Sequence, residues 1–129
     1  MTALPWLVAL FFCVRLSTID VREHRLPNEL VAAMLVAIVA AMVLVAVVGT
    51  APSVATTVRV AVSYFAVHVV VYAISRGQFG MGDVKFSVPL GLLVGWYAPA
   101  WWLPSIMASF AVAATVALVL VAIRRLSLR

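Results

Sequence analysis

Charge is scarce in this sequence. Only 10% of its 129 residues are Asp, Glu, Lys or Arg, against 67% hydrophobic, and the mean hydropathy is +1.22. A chain with so little polar surface cannot enclose a water-soluble core, which excludes the soluble globular classes and leaves an integral membrane protein. Cysteine is nearly missing as well. The single Cys13 lies inside an apolar run, so this chain alone can build neither a disulfide framework nor a Cys-x-x-Cys metal site. The N-terminal run lacks the basic leader region and small-residue cleavage site of a signal peptide, and is read as a helix that stays. The nine Lys and Arg are scattered around the ends of apolar runs. Without a basic face there is no case for nucleic acid as a partner, and these charges read as topology signals.

What is present is a series of apolar runs. They are Ala3 to Ile19, Leu30 to Val48, Val54 to Ser75, the short Phe86 to Tyr97 and Leu103 to Ile123. The expected fold is all-α, a polytopic membrane helix bundle of five transmembrane helices in one domain, 1–129, with the lipid bilayer as its surroundings. Pro27 opens the second helix, where a missing N–H costs nothing, and Asn28 is its candidate cap. Pro89 interrupts the short fourth helix, whose Gly91 and Gly95 stand at the small-xxx-small spacing that suits close packing in lipid. Trp96, Tyr97, Trp101 and Trp102 form an interfacial aromatic cluster. Positive charge is grouped at Arg22 and Arg25, at Arg76 and Lys85, and at Arg124, Arg125 and Arg129, while the two intervening loops have none. By the positive-inside rule the N-terminus is outside and the C-terminus cytoplasmic.

Carboxylates number four: Asp20, Glu23, Glu29 and Asp83. All lie at span ends on the predicted cytoplasmic side. If the first and fourth helices pack side by side, Asp20 and Asp83 meet. Two carboxylates in hydrogen-bonding range cannot both ionise easily and share a proton, which is the chemistry of aspartic proteases. The ionised member takes a proton from water as it attacks a peptide carbonyl, and the protonated member polarises that carbonyl and assists departure of the amine. Helix dipoles favour the anion on Asp83, opening a helix, and the proton on Asp20, leaving one. Gly80 and Gly82 flank Met81 and let a substrate backbone approach Asp83. Glu23 and Glu29 read as surface charges that balance nearby arginines. His68, within the third run, reads as a hydrogen bond to a neighbouring helix.

The stretch D-V-R-E-H-R-L-P-N-E-L, Asp20 to Leu30, and the stretch G-M-G-D-V-K, Gly80 to Lys85, together resemble the paired signatures of prepilin peptidases, the type IV leader peptidases. Those are membrane aspartic proteases of the Gly-x-Gly-Asp class. The resemblance implies that Asp20 and Asp83 are the catalytic pair, that Gly80 and Gly82 shape the motif, and that Arg25, Pro27, Asn28 and Lys85 support it. It also implies a prepilin substrate with a basic leader and an apolar helix, cut after a glycine at the cytoplasmic face of the cytoplasmic membrane. No metal or cofactor is called for. Longer relatives carry an N-terminal segment with paired cysteines that accompanies methylation of the new pilin terminus. This chain resembles the small form without it, so proteolysis without methyl transfer is expected. Small size points by analogy to pilins of the tight-adherence, Flp or Tad, class.

Other readings compete. A presenilin-like protease of the same Gly-x-Gly-Asp class matches at Gly80 to Asp83 only. A proton or ion carrier would spread ionisable groups through the membrane depth, whereas both aspartates fall on one side. An inactive protein that holds pilin is the third. The sequence does not disclose the oligomeric state.

Overall fold

A computed structural model describes residues 3–23, 27–49, 51–76 and 80–127, without the side chains of residues 20–23, 117, 120 and 124–127. Among the described residues the protein is all-α, with five helices and no strand. They are α1 (Leu4–Glu23), α2 (Asn28–Val48), α3 (Val54–Ile74), α4 (Met81–Tyr97) and α5 (Trp102–Ser127), the last preceded by a 3₁₀ turn, Pro99–Trp101. Of these, Asn28–Val48, Val54–Ile74 and the segment Pro99–Ile123 are long and apolar enough to cross a membrane, while the apolar part of α1, Leu4–Ile19, is shorter. Side chains turned outward from the helices are themselves apolar. Val47 is 79% exposed and Leu118 71%, which suits lipid and not water.

Helix boundaries differ from the hydropathy reading in ways that bear on the site. α1 continues past its apolar run to Glu23, because no Gly or Pro intervenes to stop it, and Asp20 thereby falls within its last turn. Pro27, not Asn28, takes the cap position of α2. Its backbone is extended, and its carbonyl accepts the N–H groups of Leu30 at 3.1 Å and Val31 at 3.2 Å. Asn28 is then the first helical residue, and its side chain is released from capping. α3 opens on Ser53, whose hydroxyl accepts the Thr56 N–H at 3.3 Å. α4 starts at Met81 instead of Phe86, so Gly82, Asp83 and Lys85 are helical. Gly80, in extended conformation, is the cap residue, and an acidic residue in the first turn suits a helix start. Nor does Pro89 interrupt α4. It removes one backbone bond, but it is buried in a helix packed along α3 and the turn survives.

Within the unit Met1–Pro99, α3 and α4 lie closest. Gly91 and Gly95 make this possible. A Cβ on Gly91 would stand 2.8 Å from the Cα of Ala61, and one on Gly95 would stand 2.7 Å from the carbonyl oxygen of Thr57. Buried polar side chains in this unit make bonds back to their own helices. Thr57 donates to Ser53 O at 3.1 Å, Ser87 to Val84 O at 2.7 Å, and His68 Nδ1 lies 2.8 Å from Tyr64 O. With a carbonyl as partner, Nδ1 carries the His68 proton, and the ring stacks on Tyr64 at 5.7 Å. That bond runs within α3.

A second cluster joins α1, α2 and α4 through Ala9, Leu16, Met34, Ile38, Leu93 and Trp96. Trp96 is thus a core residue and not an interfacial anchor, in contrast to Trp101, which is exposed. The unit Ala100–Arg129 is in large part the single helix α5. Its Ser105 and Ser109 hydroxyls donate to carbonyls one turn back, Trp102 O at 2.9 Å and Ile106 O at 2.7 Å.

Candidate active site

Asp83 occupies the first turn of α4, and its N–H donates to Gly80 O at 3.1 Å. The side chain is exposed and folds back over the cap residue. Its Oδ2 lies 3.3 Å from the point where Gly80 would carry a Cβ, so glycine at that position leaves the carboxylate its place. The backbone at Gly80 is one any residue adopts, so the glycine serves space and not conformation. Gly82 is half-buried, and Met81 is exposed beside the carboxylate.

The position of Asp20 follows from α1. Trp6, near the start of α1, lies against Tyr97, the last residue of α4, with ring centroids 5.5 Å apart. That contact brings the start of α1 to the end of α4. Asp20 stands fourteen residues beyond Trp6 and Asp83 fourteen residues before Tyr97. At 1.5 Å per residue each interval is roughly 21 Å, so the two aspartates stand at equal helix lengths from the ring pair. α1 and α4 meet chiefly through α2, not along a broad face of their own.

The two signatures touch directly. Lys85 Nζ donates to Asn28 Oδ1 at 2.6 Å, across 57 positions of sequence. These are the only lysine and the only asparagine in the chain. On a helix, residues two apart do not face each other, so Lys85 turns away from Asp83 and toward α2. Pro27 presents its carbonyl to α2 beside that contact, and Glu29 is exposed in the same turn. Arg25 lies outside the described residues. Sequence reasoning groups Asn28 and Lys85 as supporting residues without linking them, and it overlooks Trp6, whose ring meets Tyr97 of α4. His68 is buried within α3 and is not one of the motif residues.

One helix end thus presents an exposed carboxylate, beside a second signature held to it by a hydrogen bond. Comparison with curated proteins and with solved structures found no match. The model of the Type IV leader peptidase family matches residues 7–123, an interval that takes in both signatures, and the chain belongs to that family.

Proposed function

We propose that this protein is a membrane aspartic endopeptidase that removes the short basic leader from type IV prepilins at the cytoplasmic boundary of the cytoplasmic membrane. Asp20 and Asp83 are the catalytic pair. Asp83, in a first helical turn where a negative charge is favoured, takes a proton from the attacking water. Asp20, in the last turn of α1, holds the shared proton, donates a hydrogen bond to the scissile carbonyl and later assists the departing amine. Gly80 and Gly82 leave room for the leader backbone. The observation that carries this reading is the Lys85 to Asn28 hydrogen bond, because it joins the two family signatures at one end of the unit.

The leader is basic and enters from the cytoplasm, and the pilin helix behind it is apolar, so the bond to be cut sits where lipid meets water. Charge bias supports the cytoplasmic orientation of that end. Among pilin classes the Flp or Tad type is the proposed source, by analogy of size. The test is incubation of the purified protein in detergent with a prepilin whose basic leader ends in glycine, with the product read by mass spectrometry. Release of the leader by cleavage after that glycine is expected. An intact prepilin, or a cut within the apolar helix, would contradict the reading.

A further inference from the structure

We propose that Lys85 and Asn28 are positioning residues, a clasp that holds the end of α1 and the start of α2 against the first turn of α4 and so sets the spacing of Asp20 and Asp83. The inference deepens the proposed function and rests on its choice of catalytic pair. It starts from α4, which packs broadly along α3 and has less contact with α2. The glycine seam fixes α4 against α3 through Gly91 and Gly95, both in the C-terminal half of α4. The first turn of α4, which bears Asp83, lies beyond that seam. Asp83 is on α4 and Asp20 on α1, helices that meet chiefly through α2.

The Lys85 ammonium and the Asn28 amide oxygen join α4 to α2 at this end, in addition to the apolar cluster of α1, α2 and α4. The bond is short, 2.6 Å from a charged donor, and lies between two exposed side chains at the helix ends. Asn28 is free to accept because Pro27 has taken the cap position. Asn28 stands five positions after Glu23, the last residue of α1. Lys85 is the residue at which the site turn of α4 can be held without covering the Asp83 carboxylate, since the two side chains leave the helix in different directions.

The clasp is tested by disulfide trapping in membranes. In a Cys13→Ser background, Asp20→Cys and Asp83→Cys are oxidised together, and the fraction cross-linked is followed against time in the parent and with Lys85→Met, Asn28→Leu, both, and Asn28→Asp. The cross-link is expected to form in the parent, to be lost equally with Lys85→Met, Asn28→Leu or the pair, and to persist with Asn28→Asp, which keeps an acceptor oxygen. A disulfide needs Cβ atoms within about 4.5 Å, so loss of the clasp is readable. No cross-link in the parent, or an unchanged rate without Lys85, would overturn the proposal. Prepilin cleavage by the same substitutions in the otherwise native protein reads the consequence. kcat is expected to fall about 10²-fold with KM unchanged, as for a misplaced catalytic group, and Asn28→Asp to retain activity. Were the native protein inactive on prepilin while the trapping pattern held, the functional reading would fail and the clasp would stand.

Discussion

At the scale of single residues, the account turns on room around Asp83. A Cβ at Gly80 would lie 3.3 Å from Asp83 Oδ2, tighter than ordinary contact. Gly80→Ala therefore moves the carboxylate by a few tenths of an ångström without touching a core. Cleavage assays are expected to show kcat down by about ten- to a hundredfold, while melting in detergent stays near that of the parent. A larger loss of stability than of rate would show that Gly80 serves folding. A second residue under strain is Arg76, which closes α3 with φ of 52°, a left-handed conformation that glycine takes without cost. Arg76→Gly is expected to stabilise the protein by about 1 kcal/mol in thermal unfolding. A destabilised variant would mean that the arginine side chain contributes more than its backbone costs. Neither position was legible as strained or crowded in the sequence, because both properties depend on where neighbouring atoms fall and not on residue type.

At the scale of helices, the α3 and α4 seam is the feature that sequence reading captured best. Two glycines four apart announce a close approach, and both face α3 at distances no side chain could occupy. Gly91→Ala and Gly95→Ala should each destabilise by about 1–3 kcal/mol, since the clash is with backbone and cannot be relieved by rotating a side chain. Gly49→Ala is the control. Its added Cβ meets only Val45 O at 3.5 Å, ordinary contact, and a change within about 0.5 kcal/mol is expected. Equal effects at all three glycines would refute the packing argument. The start of α4 was legible at Asp83, which the sequence reading places at a helix opening, although the apolar run begins only at Phe86. Gly82, Asp83 and Lys85 are polar or small and look like loop in a hydropathy profile, yet an acidic residue and a lysine are compatible with the opening turns of a helix once Gly80 has set the cap. Trp96 shows the complementary limit. Hydropathy marks an aromatic as suited to an interface, but only the register of α4 decides that it points inward.

At the scale of the molecule, composition was enough to identify a membrane helical protein, and the two signatures were enough to identify its family. The bond that joins the signatures was not foreseeable, because it requires Pro27 to displace Asn28 from the cap and α4 to begin early enough to aim Lys85 at α2. Orientation in the membrane rests on the distribution of arginines. A reporter fused after Arg129 is expected in the cytoplasm, and its recovery on the outer side would reverse the assignment.

The most direct test of the central claim is cleavage of a prepilin by the native protein, by Asp20→Asn and by Asp83→Asn, each at equal amounts in detergent. Both substitutions keep the size of the side chain and remove its acid–base function, and the account predicts loss of at least about 10²-fold in each with the native protein active. Activity that survived in either variant would contradict the pairing of Asp20 with Asp83.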